Sequence, residues 1–510
     1  MKLVLSREQS QAFDQRAMNE HRVPGVLLME NAGRGAAELL LSLIESTSVR
    51  IIVVAGPGNN GGDGFVVARR LLVAGHSVAV YLLCDPSRLT GDAQVMYQAF
   101  IGVSGTVTPL TESEQVQDFE ADLKSARVVV DAIFGTGLVR NVSGHVAQIV
   151  ERINAADVFR YSLDLPSGLE TDRGVVLGVA VRADVTVTFG HEKTGAFTTA
   201  GVEHVGELKV VDIGVPPLAR EANGHTLEHL ELEDLAPRFK RRSRASHKGR
   251  SGRIGLLAGH PGTTGAALLA ARGALRMGAG LLTHLGLPES IAAIESRVLE
   301  AMTKRLEPNR LTASLIDAIH AMDALLIGPG LGLGVAQTEL VDFVVEHTEL
   351  PVVLDADALT LISGNLRRFR LAKGPRVLLP HRGEVARLLQ ISVADVDKDP
   401  LSALTLLTDL THAVVVMKGA YTFVSAKGRK VAVVGEPCPA MATGGSGDVL
   451  AGAACALLVD HEPFDAALLA VHLHSRAGRF WSELHSADRG LLASELADLL
   501  PRAVAELAAD

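Results

Sequence analysis

Cysteine, aromatic residues and excess positive charge are all scarce in this chain of 510 residues. Its three cysteines, Cys84, Cys438 and Cys455, lie far apart and form no C-x-x-C pair, which argues against a disulfide framework and a structural zinc site. Aromatic residues make up only 4%, which disfavours a base-stacking surface. The 49 Lys and Arg against 58 Asp and Glu give a net charge of −9, which offers no general attraction to nucleic acid or anionic lipid.

Long hydrophobic runs are also lacking. The opening Met-Lys-Leu-Val-Leu-Ser turns polar too soon for a signal peptide, and no apolar run reaches membrane-spanning length. We therefore expect a cytoplasmic protein without membrane or nucleic-acid partners. Hydrophobic residues make up 47% of the chain and are mostly aliphatic. The 50 glycines predict many tight backbone turns. At about 150 residues per domain, the length predicts roughly three domains or two large ones.

Two long stretches alternate short β-branched runs with amphipathic segments, as parallel strands joined by helices do. The first stretch predicts strands at 49–55, 77–83, 128–133, 159–163, 185–189 and 208–211. The second predicts strands at 253–258, 324–327, 351–354, 377–379 and 413–417, and helices at 265–277, 447–459 and 463–482. The pattern therefore predicts two different α/β domains.

Between the two stretches the periodicity fails, starting at Pro216 and Pro217. We predict domains at 1–220 and 246–510, joined by a linker at 221–245. The linker includes the basic run Phe-Lys-Arg-Arg-Ser-Arg at 239–244. Such a run can bind phosphate or nucleic acid, but at an interdomain position a solvated linker is the simpler interpretation.

A glycine-rich loop, Gly-Pro-Gly-Asn-Asn-Gly-Gly-Asp-Gly at 56–64, joins the strand at 49–55 to an apolar helix. Glycines let the backbone approach an anion, and a helix start presents free N–H groups to it. Positions 56, 58 and 61 fit G-x-G-x-x-G, so a dinucleotide dehydrogenase must be considered, although this match alone is weak. Asn59, Asn60 and Asp63 add oxygens that suit a hard cation, a sugar or an amide ligand.

Two later strand ends carry similar polar segments. Asp131 begins Asp-Ala-Ile-Phe-Gly-Thr-Gly, and Asp164 lies within Ser-Leu-Asp-Leu-Pro-Ser-Gly. Because the carboxyl ends of parallel strands meet at one edge, these segments should converge on the first glycine loop. Each aspartate alone could equally cap a helix or form a turn, but their joint placement favours a shared site.

In this order and spacing, the three motifs resemble the NAD(P)H-hydrate epimerase domain, which has a Rossmann-like parallel-sheet sandwich, across most of residues 1–220. The resemblance implies that Asp164 is catalytic and that Asn60, Asp131 and Ser167 bind a potassium ion. It also implies that the hydrated coenzyme contacts Asn59, Asn60, Gly61, Gly62, Asp63, Gly135, Thr136, Gly137, Leu138, Val139, Arg140, Asn141 and Asp164.

A second glycine-rich segment, Thr-Gly-Gly-Ser-Gly-Asp at 443–448, opens an apolar helix near the C-terminus. Its N–H groups and helix dipole can stabilise charge on a transferring phosphoryl group, and Asp448 can accept a hydroxyl proton. A carboxylate that merely caps the helix is the plainer alternative. No G-x-x-x-x-G-K-[ST] string occurs, so this is not a P-loop enzyme.

This segment resembles the G-x-G-D signature of ribokinase-like enzymes. With the segments at 246–252, 328–332, 354–359, 380–384 and 418–420, residues 246–510 resemble the ADP/ATP-dependent NAD(P)H-hydrate dehydratase, a three-layer α/β sandwich. The resemblance implies magnesium and an adenine nucleotide, with Asp448 catalytic. It places the hydrate at Ala266, Gly332, His381 and Asp448, and the nucleotide at Lys418, Gly419, Ala420, Tyr421, Thr422 and Gly447.

Some of these residues have alternatives that the sequence leaves open. His381 could equally cap the helix that follows it, and Lys418 could be an ordinary surface lysine. Asp355 and Asp357 follow a strand, where metal or ribose contact and turn formation are equally reasonable.

The combined resemblance predicts a bifunctional repair enzyme for hydrated nicotinamide coenzymes, the R and S forms of NADHX and NADPHX. The first domain would interconvert the two forms, and the second would dehydrate the S form at the expense of ADP, giving AMP and phosphate; ATP is an open alternative. The resemblance also implies a homo-oligomer. Two other interpretations stay open: a small-molecule kinase that releases a phosphorylated vitamin alcohol, and a first domain that binds a ligand without catalysis.

Overall fold

The computed structural model describes residues 1–44, 49–215, 227–306 and 312–509. They form two compact units, Lys2–Leu227 and Glu228–Asp510, which we call the N-terminal and C-terminal units. Each unit is an α/β structure with a largely parallel sheet, which confirms the predicted fold class. The predicted domain limits stay predictions; Pro216, Pro217 and residues 221–226 of the predicted linker lie outside the described residues.

The N-terminal unit contains nine complete strands and seven α-helices in its described part. The strands are β1 Lys2–Leu5, β2 Arg50–Ala55, β3 Ser77–Leu82, β4 Val107–Pro109, β5 Val128–Ala132, β6 Phe159–Leu163, β7 Val185–Phe189, β8 Glu192–Lys193 and β9 Glu207–Val211. The helices are α1 Arg7–Asn19, α2 Gly25–Leu43, α3 Asn59–Val73, α4 Gly91–Gly102, α5 Val116–Leu123, α6 Gly144–Ala155 and α7 Thr199–Val205.

Seven strands of this unit form a parallel sheet in the order β4-β3-β2-β5-β6-β7-β9. Strand β2 shows why its sequence is continuously apolar. Ile51 and Val53 belong to the core on one face of the sheet, whereas Ile52 and Val54 belong to the core on the other. Since successive side chains of a strand alternate between faces, a sheet covered on both sides needs apolar residues at every position.

The predicted glycine loop at 56–64 is mostly helical, because α3 already begins at Asn59. A Cβ atom on Gly61 would lie 1.9 Å from the carbonyl oxygen of Gly56, and one on Gly64 would lie 2.7 Å from the Cβ of Ala132. These glycines therefore let the first turns of α3 pack tightly against the ends of β2 and β5. The result is a helix start held directly at the carboxyl edge of the sheet.

The C-terminal unit follows the strand β10 Leu227–His229, which lies at the boundary between the units. Its strands are β11 Arg253–Leu257, β12 Leu281–Gly286, β13 Ala301–Arg305, β14 Ala324–Ile327, β15 Val352–Leu354, β16 Arg376–Leu378, β17 Val414–Met417, β18 Thr422–Ser425 and β19 Val431–Val434. Its helices are α8 Leu232–Leu235, α9 Thr264–Met277, α10 Pro288–Arg297, α11 Ala313–His320, α12 Val335–His347, α13 Asp357–Ile362, α14 Arg382–Leu389, α15 Val393–Lys398, α16 Pro400–Thr411, α17 Ser446–Leu457, α18 Pro463–His485 and α19 Ala493–Ala509.

Strands β11 to β17 of this unit run parallel in the order β13-β12-β11-β14-β15-β16-β17, and β18 and β19 continue the sheet antiparallel. The predicted strands are present, while β12, β13, β18, β19 and the final helix α19 were not predicted. Within the described ranges, no helix combines the length and apolar content needed to cross a lipid bilayer.

The basic run in the predicted linker caps helices of the C-terminal unit. The side chains of Lys240, Arg241 and Arg242 donate hydrogen bonds to the carbonyl oxygens of Asp460, Ala508 and Gly278, respectively. The last two carbonyls lie at the C-terminal ends of α19 and α9, where positive charge is favourable because of the helix dipole. The run therefore contacts the C-terminal unit, although residues 240–244 are exposed to solvent.

Helices α9 and α17 pack backbone to backbone, which yields a stability prediction. A Cβ atom on Gly452 would lie 2.0 Å from the carbonyl oxygen of Ala270, and a neighbouring carbonyl similarly faces Gly273. We expect Gly452→Ala to lower the free energy of unfolding by about 2 to 3 kcal/mol, because backbone atoms cannot rotate away.

The matched control is Gly265→Ala on α9, where a Cβ atom would have no neighbour within 4 Å. This substitution should leave stability unchanged or raise it by about 0.5 to 1 kcal/mol, since alanine favours helices. Calorimetric unfolding of the full chain makes the comparison. Equal transition temperatures for the two variants would contradict the proposed helix contact.

Candidate active sites

A cavity of about 710 Å³ lies at the carboxyl edge of the N-terminal sheet. Segments that follow β2, β5, β6 and β7 line it, as the sequence predicted for parallel strands. Gly61, Gly62 and Asn141 are not among the lining residues. The predicted contact residues that do line it are Asn59, Asn60, Asp63, Gly135, Thr136, Gly137, Leu138, Val139, Arg140 and Asp164.

Asp164 is held in a fixed position by two contacts. Its Oδ1 atom lies 2.6 Å from the Nζ atom of Lys193, and its Oδ2 atom accepts a hydrogen bond of 3.1 Å from the backbone N–H of Thr136. The Lys193 side chain is only 2% exposed and also donates to the Thr188 hydroxyl at 2.8 Å. With a φ of 67°, Asp164 adopts the left-handed conformation that non-glycine residues rarely take. Such strain at a strand end is typical of functional positions.

The positive charge of Lys193 lowers the pKa of two further carboxyl groups in the cavity, those of Asp14 and Asp63, but other effects outweigh it. Burial raises the pKa of Asp14 to about 6, with Lys193 opposing the rise and Asp164 adding to it. Burial also raises the pKa of Asp63 well above its ordinary value, and the charges of Asp164 and Asp14 add to this rise. The cavity therefore holds carboxyl groups that do not all ionise readily together.

Of the three residues predicted to bind potassium, Asp131 and Ser167 are hydrogen-bonded to each other. Asp131 is fully buried and accepts hydrogen bonds from the Ser167 hydroxyl at 2.5 Å and the Ser167 backbone N–H at 2.8 Å. Asn60 lines the cavity, and both polar atoms of its buried side chain lack hydrogen-bond partners within the described residues. Buried polar atoms normally have partners, so the amide of Asn60 fits a cation or a bound ligand.

The second candidate site lies at the start of α17 in the C-terminal unit. Gly445 precedes the helix with a φ of 91°, and a Cβ atom on Gly447 would lie 3.6 Å from the Nζ atom of Lys418. The ammonium group therefore lies beside the first turn of α17, which also carries Asp448. Both features favour a bound phosphate.

A network of charges surrounds Lys418. Its Nζ atom lies 2.6 Å from Oδ1 of Asp355 and 3.9 Å from Oε2 of Glu384. Burial would lower the pKa of Lys418, but Asp355 and Glu384 raise it, so this lysine is a partly buried, paired cation rather than an ordinary surface residue. Burial, with a contribution from Asp355, raises the pKa of Asp448 to about 6. Asp448 is thus a weak base that is largely ionised at neutral pH.

His381 caps helix α14, the structural alternative that the sequence left open. Its Nδ1 atom accepts hydrogen bonds from the backbone N–H groups of Gly383 and Glu384, at 3.0 and 3.3 Å. The residue is exposed, so its contact with the hydrate stays a prediction. Nearby, the backbone N–H of Gly332 donates to Oδ2 of Asp357 at 2.8 Å, which links a predicted contact to the charge network.

A cavity of about 160 Å³ adjoins the start of α17. Tyr421 is not among its lining residues and instead packs edge to face against His229, with 5.9 Å between ring centroids. His474 lines the cavity and makes a hydrogen bond of 2.9 Å between Nε2 and the carbonyl oxygen of Ser446. The predicted nucleotide contacts that line it are Lys418, Gly419, Ala420, Thr422 and Gly447.

Sequence reasoning missed four residues of these sites: Asp14, Lys193, Glu384 and His474. Lys193 lies four residues after β7, in a polar segment that follows a predicted strand. Because polar segments after parallel strands meet at one edge of the sheet, this position could have been predicted from the sequence. Glu384 lies within the segment 380–384, whose sequence already pointed to the dehydratase family. Asp14 and His474 lie inside helices and carry no local signal that separates them from ordinary helical residues.

Comparisons with known proteins cover both units. A family model described as NAD(P)H-hydrate dehydratase matches residues 254–502, and one described as the N-terminus of YjeF-related proteins matches residues 26–195. The bifunctional NAD(P)H-hydrate repair enzyme of Moorella thermoacetica is 36% identical, over 98% of this chain and 96% of its own. The corresponding protein of Coxiella burnetii is 34% identical, over 92% and 93%. A solved ribokinase-like superfamily protein from Enterococcus faecalis is 26% identical, with a TM-score of 0.50 over 56% of this chain and 98% of its own.

Proposed function

The chain belongs to the family of bifunctional NAD(P)H-hydrate repair enzymes, and we propose that its two units divide the two reactions of this repair. The N-terminal unit interconverts the R and S hydrates of NADH and NADPH. The C-terminal unit dehydrates the S form at the expense of ADP, which becomes AMP and phosphate. The similarity to bifunctional enzymes along nearly the whole chain carries this conclusion.

The dehydration has to overcome a poor leaving group. Hydration places a hydroxyl on the ring carbon beside the ring nitrogen, and hydroxide leaves slowly near neutral pH. In the C-terminal unit, the ionised Asp448 accepts the hydroxyl proton as the oxygen attacks the nucleotide's terminal phosphate. Lys418 and the first N–H groups of α17 stabilise the charge on the transferring group. The ring nitrogen then expels phosphate instead of hydroxide and forms a carbon–nitrogen double bond. Loss of a proton to water from the ring carbon next to the former hydroxyl position then restores the reduced coenzyme.

Magnesium is expected to accompany the nucleotide. The ion commonly uses one or two carboxylates together with substrate phosphates and water, so a cage of protein ligands is not required. In the described ranges, no group of three metal-ligating side chains forms such a cage. Asp357 would hold the ion, because Asp355 is already paired with Lys418. When bound, magnesium neutralises phosphate charge during transfer.

In the N-terminal unit, Asp164 is the group that we propose exchanges a proton with the hydrate. Potassium would be held by Asn60, Asp131 and Ser167, where it supplies positive charge near the ligand. The unpartnered amide of Asn60 supports this assignment, since amide oxygens suit a hard cation. By family resemblance we also propose a cytoplasmic location and a homo-oligomeric assembly.

The potassium assignment predicts a change in ion dependence. Replacing K⁺ by tetramethylammonium should slow enzymatic epimerisation of the wild-type protein. Asn60→Ala should raise the K⁺ concentration needed for half-maximal rate by at least about tenfold, because one ligand is lost. Rates of R-to-S exchange measured over a K⁺ series test this, with NADH formation from the S hydrate as the control. An unchanged K⁺ dependence in Asn60→Ala would refute the assignment.

Product analysis separates this function from that of a small-molecule kinase. The S hydrate, ADP or ATP, and magnesium are incubated with the protein, and phosphorus NMR follows the phosphoryl group. We expect inorganic phosphate to appear in step with the absorbance of the reduced coenzyme. A stable phosphorylated product that accumulates without recovered coenzyme would instead identify a kinase.

A further inference from the structure

Interconversion of two epimers requires proton transfers at both faces of the ring. This inference rests on the proposed epimerase function of the N-terminal unit. When the hydroxyl leaves one face of the ring, its oxygen needs a proton. When water adds to the other face, it must lose one. Two groups on opposite sides of the ring can serve these steps, one holding a proton and the other ready to accept one.

The N-terminal cavity contains side chains that meet this requirement. Asp14, Asp63 and Asp164 all line it, and they come from α1, from α3 and from the segment after β6. The ammonium group of Lys193, 2.6 Å from Asp164, lines the same cavity. Since several carboxylates close to one another repel, the cavity favours a state in which at least one of them is protonated.

The positions of the three carboxyl groups distinguish their roles. Asp164 is paired with Lys193 and accepts a hydrogen bond from the Thr136 N–H, so both of its carboxylate oxygens are held in place. Asp63 is only 8% exposed and lies among the residues of the first turns of α3. The side chain of Asp14 is exposed to water where α1 lines the cavity, although surrounding protein partly desolvates its carboxyl group. This carboxyl group is therefore the most accessible of the three to a ligand. Its raised pKa, about 6, is consistent with a group that carries a proton part of the time.

We propose that Asp14 is a second catalytic residue of the epimerisation, donating a proton to the departing hydroxyl while Asp164 accepts one from the incoming water. Asp14 and Asp164 reach the cavity from different elements, which allows them to act on opposite faces of the ring. In the reverse direction the two residues exchange roles.

The step balances without any oxidant or other co-reactant. The bond between the ring carbon and the hydroxyl oxygen breaks, the oxygen takes the proton of Asp14 and leaves as water, and the nitrogen lone pair forms a carbon–nitrogen double bond. A water molecule on the other face then bonds to the carbon, and the double-bond electrons return to nitrogen. The proton released by this water goes to Asp164. The net change is one proton moved from Asp14 to Asp164.

Substitution of Asp14 tests the proposal in the full chain. Asp14→Asn should slow enzymatic R-to-S exchange by about 10² to 10³-fold, the range expected for loss of a general acid. Asp14→Glu, which retains the carboxyl group, should recover part of the rate. Glu8→Gln is the matched control, because Glu8 is exposed on the same helix but does not line the cavity. Dehydration of the S hydrate, measured on the same samples, should not change.

A labelling experiment on the wild-type protein gives a test that does not depend on how a variant folds. In heavy-oxygen water without nucleotide, each inversion should place one solvent oxygen on the ring carbon, as mass spectrometry of the separated epimers would show. Retention of the original oxygen would overturn the proposed step. Asp14→Asn exchange within twofold of wild type would overturn the role of Asp14. If the wild-type protein itself does not exceed the spontaneous rate, the epimerase function fails instead.

Discussion

Asp448→Asn is expected to lower nucleotide-dependent dehydration of the S hydrate by about 10³-fold, because the asparagine amide cannot accept the hydroxyl proton. The shape of the site should change little, since the two side chains are nearly isosteric. Exchange between R and S hydrates should continue at the wild-type rate, because its residues belong to the N-terminal unit. Coenzyme recovery from purified S hydrate gives the first rate, and NMR of the epimer mixture gives the second.

The control for this prediction is Asp409→Asn, which makes the same chemical change at an exposed position of α16. It should leave both rates unchanged. Loss of both activities in a folded Asp448→Asn protein would contradict the assignment of separate sites to the two units.

The pH dependence of the dehydration rate is a second test of the role of Asp448. The base must be ionised, and burial raises the pKa of Asp448 to about 6. The wild-type rate per S hydrate at low substrate should therefore be nearly constant above this pH and fall about tenfold per pH unit below it. The residual activity of Asp448→Asn should lack this decline. The same acid limb in both proteins would assign it to another group.

Asp164→Asn should confine repair of the R hydrate to its spontaneous epimerisation. The substitution removes the proposed proton acceptor and leaves the buried Lys193 without its carboxylate partner at 2.6 Å. We expect enzymatic R-to-S exchange to fall by about 10³-fold. The S hydrate should still be consumed at the wild-type rate, which also shows that the C-terminal unit has folded. Chromatographic separation of the epimers during repair measures both rates.

A suitable comparison for Asp164→Asn is Asp118→Asn, an exposed aspartate on α5. Circular dichroism of both variants verifies that the N-terminal unit remains folded despite the lost ion pair. Wild-type consumption of the R hydrate by folded Asp164→Asn protein would show that the catalytic role of Asp164 is wrong.

Much of the fold could be predicted because its central strands are buried on both faces. Strands β6 and β7 have the predicted limits, 159–163 and 185–189. The β-branched sequence Val-Thr-Val-Thr-Phe marks β7, whereas β6, Phe-Arg-Tyr-Ser-Leu, alternates aromatic or aliphatic residues with polar ones. Strand β18 was missed because only four residues separate it from β17, too few for a helical crossover. Strand β13 was missed because its sequence, Ala-Met-Thr-Lys-Arg, has no apolar run.

In the candidate sites, features that depend on a local motif could be predicted, whereas contacts between distant segments could not. The positions of Asp164 at a strand end and of Asp448 at a helix start could be predicted because each belongs to a local motif. Their catalytic roles stay predictions. The partnership of Lys193 with Asp164 depends on two segments that are distant in sequence and adjacent in space. The same holds for Lys418 and Asp355, which the sequence left between structural and functional roles. Contacts of this kind depend on the sheet order, which no single motif encodes.

The most direct measurement uses a mixture of R and S hydrates with the purified full-length protein, magnesium and either ADP or ATP. Absorbance of the reduced nicotinamide, the amounts of both epimers and released phosphate are followed together. We predict that both epimers are converted completely, with one phosphate released for each coenzyme recovered, and that nothing beyond spontaneous recovery occurs without nucleotide. Equal recovery in the absence of nucleotide would contradict phosphorylation beside Asp448 as the basis of the repair.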